Sequence, residues 1–299
     1  MKKKLAMMGV GAVAGSMLLM SSVYAGVGEA PGYNAYKSAI KNTAAVKNVT
    51  ERMNLSIEDN GKVLLQVNST GKTNKEAHTG SADITLKGEA TEQSFQIYHQ
   101  EDKTIIKTDL SDTYQIIEPD KAERDMLKKH KDHIEQFDPA MAKDMENVID
   151  ELAGNLKNYV TLKEESKTKE VEMHLTGTQI PAVANAIGSL FIKASGRDHG
   201  EEMNLSSTLG VNVNNIKDSL PKLTDDIKID SVNLDATVNA DNRITNQTAA
   251  IEISGKDRGG TAHHVIVKVD LGLSEFNNTT PDTVNLTGKK VENVKPFMP

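Results

Sequence analysis

The chain has 299 residues, no cysteine, no tryptophan, 4% aromatic residues and a formal net charge of −7. Absence of cysteine excludes disulfides, thiolate metal sites and Cys nucleophiles, and the acidic balance disfavours nucleic acid or an anionic lipid headgroup as main partner. So few aromatic rings also argue against sugar-stacking and base-stacking surfaces.

Lys2, Lys3 and Lys4 precede the apolar run LAMMGVGAVAGSMLLMSSV, and Val23 and Ala25 are small residues where a signal peptidase reads. Residues 1–25 therefore read as a signal peptide cleaved after Ala25. The run is also long enough for the alternative, an uncleaved N-terminal anchor. Cleavage removes three lysines and leaves 32 basic against 42 acidic residues, a net charge of about −10. No later stretch is apolar enough to span a bilayer, so no stable membrane insertion is expected after cleavage. An exported chain without cysteine fits a bacterial protein that is secreted or associated with the cell wall.

Residues 26–32 (GVGEAPG) read as a flexible leader. Tyr33, Tyr36, Ile40 and Ala44 recur at helical spacing and predict a first helix. Met53, Leu55 and Ile57 alternate with polar residues, and Asp59-Asn60-Gly61 is a hairpin signal, since Asn and Gly tolerate positive φ. The return strand KVLLQVNSTGKT, then SADITLKG, SFQIYHQ, TIIKTD and TYQIIE, complete an antiparallel meander of six strands. The period then switches. Asp120 with Glu123 forms a capping box ahead of Met126, Leu127, His130 and Ile134. Asp138-Pro139 opens a helix striped with Met141, Met145, Val148, Ile149, Leu152 and Leu156. Strands NYVTLKEE and KEVEMHLT lead to a third helix over IPAVANAIGSLFIKA, 180–194, which carries Val183, Ile187, Leu190 and Phe191.

A short helix over NNIKDSLPKL is expected before DIKIDSVNLDATV. There the apolar parity moves from Ile227 and Ile229 to Val232, Leu234, Ala236 and Val238, which predicts a bulge near Asp230 or Ser231. NADN is a turn, RITNQTAAIEIS a strand, GKDRGG a loop and TAHHVIVKVDLGL a strand, and residues 281–299 form a C-terminal tail read as loop. Residues 33–118 and 214–275 share the order helix, strand, Asp-Asn turn, strand, Gly-Lys loop and strand. They form a possible pseudo-repeat around a helical insert, 119–194.

The adjacent His263 and His264 could suggest a metal or catalytic site. Strand parity separates them: His263 shares a face with Val265, Val267, Val269, Leu271 and Leu273, while His264 points away. His130 and His133 sit three apart on an alternating-charge helix without an H-E-x-x-H pattern, and His199 lies beside Asp198, Glu201 and Glu202 in a polar connector. Motifs for serine nucleophiles, phosphate loops and calcium loops are missing. No cofactor, metal ligand or catalytic residue is assigned.

The segments YKSAIKNTAAVKNVTERMNLSI and SFQIYHQEDKTIIKTD, within an order of exported helix, long meander, inserted helices and second meander, resemble the LolA-like superfamily over residues 33–280. That group includes outer-membrane lipoprotein carriers and lipoprotein relatives of Gram-positive bacteria. The resemblance implies an unclosed barrel with helices on its concave side, holding acyl chains or a partner segment. This chain departs from the Gram-positive relatives in lacking their lipid-anchoring cysteine.

The expected fold is α+β: one large curved antiparallel sheet, as an open barrel or two related half-sheets, with helices on the concave face. The expected function is non-enzymatic binding of a lipid, acyl chain or cell-envelope partner in the sheet–helix cleft. Its lining would be Met141, Met145, Val148, Leu152, Val183, Ile187, Leu190, Phe191, His263, Val265 and Val267. The rivals are a structural or regulatory envelope module without a ligand cavity and, third, a metal-dependent hydrolase.

Overall fold

The computed structural model describes residues 30–89, 91–118, 154–165, 167–180 and 220–294. Helix α1, Pro31–Ala44, starts with proline at its first turn, where the missing N–H costs nothing. Its buried face is Tyr36, Ala39, Ile40 and Thr43 rather than a stripe ending at Ala44, which is exposed. Hydrogen bonding explains the rotation. The Thr43 hydroxyl donates to the Ala39 carbonyl and accepts from the Ile244 N–H, tying the last turn to the sheet.

Twelve strands follow among the described residues. The first meander is β1 (Asn48–Asp59), β2 (Lys62–Asn74), β3 (Thr79–Gly88), β4 (Glu92–Gln100), β5 (Lys103–Thr108) and β6 (Tyr114–Ile117). The second is β7 (Val160–Glu164), β8 (Lys169–Thr176), β9 (Asp225–Val238), β10 (Ile244–Lys256) and β11 (Ala262–Ser274), and β12 (Val291–Val294) ends the described chain. Asn60 and Gly61 take φ of 50° and 82° at the β1–β2 turn, as the hairpin signal predicts. In β9, Ser231 opposes Glu252 while Ile229 opposes Ile253, so Asp230 is the extra residue of the expected bulge.

All twelve strands form one open sheet in the order β12-β6-β5-β4-β3-β2-β1-β11-β10-β9-β8-β7. The two meanders join where β1 pairs antiparallel with β11. Among the described residues the edge strands β12 and β7 do not pair, so the sheet is not closed into a barrel. The fold is thus α+β with a large curved sheet, and a single α-helix among the described residues packs on it where several were expected. The predicted helices at 120–134, 139–156 and 180–194 lie outside the described residues, save a 3-10 turn at Gly154–Tyr159 and the buried Ile180. Residues 220–223, expected to be helical, form a bend and irregular loop with Leu223 buried.

The tail needs a correction. It is loop up to Lys290, as expected, but Val291–Val294 then forms β12, parallel to β6. A four-residue strand with two valines carries too short an alternation to register as a strand signal.

The core lies where α1 covers β7–β10. Tyr36, Ala39 and Ile40 pack with Val171, Met173, Leu234, Ala236, Val238, Ile244 and Leu271. The Tyr36 hydroxyl donates to Gln247 Oε1 at 2.6 Å beneath the helix, which satisfies both buried groups. Gly32 sits so close to β7 that an added Cβ would strike the carbonyl oxygens of Val160 and Thr161. A second, smaller cluster, Ala82, Ile97 and Ile106, lies in the first meander.

Candidate functional site

The ladder registers sort every strand residue onto one of two faces. On the face that carries α1, Leu86 opposes Val67, Val67 opposes Leu55, Leu55 opposes Val269, Val269 opposes Ala249 and Ala249 opposes Leu234. One step along, Leu65, Ile57, Val267, Ile251 and Val232 make a parallel row. Two apolar rows therefore cross the middle of the sheet, one six strands wide and the other five, because each strand puts its hydrophobic parity on the same side. At the α1 end the first row finishes at Leu234 in the packed core and the second at Val232, half-buried against it. In the centre, Val67, Leu55, Val269, Ile57, Val267 and Ile251 are only half-buried.

His263 and Val265 stand at one end of this apolar face, beside Ile57 and Val267, as strand parity predicts. Val265 is buried, and the His263 side chain is 14% exposed. His263 Nδ1 lies 2.7 Å from Asp59 Oδ2, and Nε2 lies 3.6 Å from Asp257 Oδ2, beyond hydrogen-bond reach. The Asp59 hydrogen bond holds the imidazole pKa above its ordinary value against the opposing effect of burial, and Asp257 adds to it. Asp257 in turn is pulled below the usual carboxylate range, first by the Thr261 N–H at 2.8 Å and then by His263.

These residues belong to two hairpin tips. The Asn60 N–H donates to the His264 carbonyl, its side-chain amide donates to the Ala262 carbonyl, and the His264 N–H donates to Asn60 Oδ1. The cluster is therefore a latch that pins the β1–β2 tip to β11 at the seam between meanders. His264 points to the opposite face, where Nε2 stands 3.4 Å from Glu252. Among the described residues no group of three or more His, Asp or Glu could hold a metal ion.

Glu51 lies on the apolar face at its other end, between Gly71 of β2 and Leu273 of β11. Burial pushes its carboxyl up to about 7, with Lys75 pulling the other way. Nothing in the period-2 pattern marks Glu51, since it occupies an inward parity position that a hydrophobic residue would normally fill.

The opposite face is polar. An open trough of about 610 Å³ runs over β2, β1, β11, β10 and β9, lined by polar residues such as Asn54, Ser56, Asn68, Asp235 and Lys268, with Leu55, Ala249 and Val269 of the same strands also bordering it. It does not include His263, Val265 or Val267, which project from the other side of the same strands. Met141, Met145, Val148, Leu152, Val183, Ile187, Leu190 and Phe191 lie outside the described residues. Of the anticipated lining, the structure brings together the strand residues His263, Val265 and Val267. The partners Asp59 and Asp257 were not anticipated, although both occupy turn sequences, Asp-Asn-Gly and Lys-Asp-Arg-Gly-Gly, whose tips meet only in the folded sheet.

No helix among the described residues is long and apolar enough to cross a membrane. No family model matches the chain, and no curated protein matches it. Among solved structures it is similar to the Mycobacterium tuberculosis lipoprotein LppX, at 9% identity and a TM-score of 0.32, over 86% of this chain and 100% of that one. A DUF1329 family protein from Desulfovibrio piger aligns over 86% of this chain and 96% of its own, at 8% identity and a TM-score of 0.20.

Proposed function

We propose that this chain is an exported, non-enzymatic binding protein of the cell envelope that takes an apolar ligand, a lipid or acyl chain, against the α1-bearing face. The observation that supports the reading is the pair of apolar rows, which cross six and five strands. They are half-buried at their centre, whereas a face built only as core would be packed throughout. Branched aliphatic side chains without ring platforms suit a flexible hydrocarbon chain, which gains from buried area more than from directional contacts. Residues 1–25 act as the export signal in this reading, and the acidic mature chain relies on apolar area rather than charge to meet lipid.

Denaturing extraction of the purified protein followed by mass spectrometry tests the proposal, together with thermal shifts on adding fatty acids or lipopeptides. A co-purified acyl compound that is lost in Val267→Lys and Ile251→Lys is the expected result. No bound lipid and no thermal shift would overturn it. One observation favours a second reading, an envelope interaction module without an apolar cavity: the trough described above lies on the polar face. Failure of the lipid assays would leave that reading in possession.

A further inference from the structure

The segment between β11 and β12 is strapped across the polar face of the first meander by hydrogen bonds that follow one another strand by strand. On β1, the Thr279 N–H donates to Asn48 Oδ1 and the Thr279 hydroxyl meets that of Thr50 at 2.9 Å. On β2, Lys72 Nζ donates to both Asp282 oxygens at 2.9 Å. On β3, the Asp282 N–H donates to Ser81 Oγ at 2.9 Å. On β4, the Gln100 side-chain amide takes both main-chain groups of Val284: Nε2 donates to the carbonyl at 3.0 Å and Oε1 accepts the N–H at 2.9 Å. The Tyr114 N–H then donates to the Lys290 carbonyl, and β12 adds to the β6 edge.

This is how an extended peptide is recognised: main-chain groups are read by hydrogen bonds, one carboxylate fixes the register, and an open sheet edge receives the end of the segment. The strap is lightly held as core. Thr279 and Pro281 are buried, whereas most of residues 285–293 are exposed. Beneath it, the register places Ser81, Tyr98, Ile105 and Ile116 in one row, with Ile105 and Ile116 both buried. Losing the strap would uncover apolar side chains and an unpaired β6 edge, a surface that favours refilling.

The connection that folds the strap back is strained. Glu275 and Asn277 both have left-handed φ, 52° and 59°, within the short turn that leaves β11. Asn277 tolerates this conformation, but for Glu275 it is costly, and an extended hinge would relieve it there. A short, strained hinge ahead of a self-complementary segment is the arrangement that invites exchange between identical chains.

We infer that residues 279–294 are an exchangeable strap, and that the groove formed by Asn48, Thr50, Lys72, Ser81, Gln100 and the β6 edge accepts the same segment from a second copy of this chain. The occupant in trans needs no new chemistry, since every contact described within one chain can be remade between two. The pairing is reciprocal and closes as a two-fold dimer.

The cysteine-free chain permits a direct test on the full-length protein. The double variant S81C/D282C should close an internal disulfide on mild oxidation, because the two native side chains touch. Mixing singly substituted S81C with singly substituted D282C, then oxidising, should yield a disulfide-linked heterodimer whose amount rises with incubation time and total concentration. A control mixture of S81C with D241C, whose introduced thiol sits on the exposed β9–β10 turn, should yield only background. Failure of the double variant to close would overturn the strap's placement. Closure of the double variant with no heterodimer above the control mixture would overturn exchange.

Discussion

Replacing His263 with alanine isolates the latch between the hairpin tips. In the folded protein the ring is 14% exposed, Nδ1 is bonded to Asp59, and the other Asp59 oxygen is buried without a partner. A hydrogen bond to a charged group contributes about 1.5–3 kcal/mol, and leaving its partner unsatisfied adds to the loss. His263→Ala should therefore cost about 2–3 kcal/mol at about pH 5.5, where the imidazolium faces Asp59. The sign of the pH dependence follows from the raised imidazole pKa. A group held above its unfolded value contributes fully below that value, 6.5, and loses the contribution as pH rises through the folded one. At alkaline pH, above the raised folded pKa, the ring is neutral and the cost should fall to about 1 kcal/mol, that of a hydrogen bond with a neutral donor. Urea unfolding of wild type, His263→Ala and the more exposed His264→Ala at both pH values measures the difference, and His264→Ala should change little. Equal destabilisation by His263→Ala at both pH values, or a larger one at the higher, would refute the assignment of a protonated latch.

Glu51→Gln should stabilise the protein at about pH 8.5 by up to about 3 kcal/mol and leave it unchanged at about pH 4. A carboxyl raised to about 7 destabilises the fold progressively as pH climbs from 4.5 through that value; thermal melts across this range check it. Tyr36→Phe should cost about 1–2 kcal/mol by stranding Gln247, and a double-mutant cycle with Gln247→Leu should show the two effects to be coupled. Gly32→Ala should lower the melting temperature by undocking the start of α1 from β7, at a cost of about 1–3 kcal/mol. Loss of hydrogen-exchange protection confined to α1 and β7 would identify that cause.

Most strands of this sheet were legible in the residues, for a specific reason. β11 keeps one parity from His263 to Leu273 because one side faces the apolar interior while the other is polar, and β9 keeps its parity on either side of its bulge. Parity also separated His263 from His264 and put a bulge near Asp230 or Ser231, which the ladder register then assigns to Asp230. Features that depend on residues distant in sequence were not legible. Asp59 and Asp257 become partners of His263 only when two hairpin tips are brought together across the β1–β11 seam. Residues 279–290 have no periodicity, since their order comes from side chains of four strands reading a main chain, and β12 is four residues long. The face carrying the trough was equally invisible, because Asn54, Ser56 and Asn68 look like ordinary solvent-facing positions.

The seam between the two meanders also governs how the molecule can be assembled. Asp59 and His263 meet across 204 residues of chain. β1–β6 can pair locally as they appear, but β1 then waits with one side open until β11 arrives. Closing so long a loop costs little extra equilibrium free energy but slows folding, because the entropy is lost before the pairing repays it. A chain delivered N-terminus first therefore carries a vacant strand edge through most of its synthesis. The vacant edges are two, β1 awaiting β11 and β6 awaiting β12, and a chaperone that guards the growing chain would have both to cover.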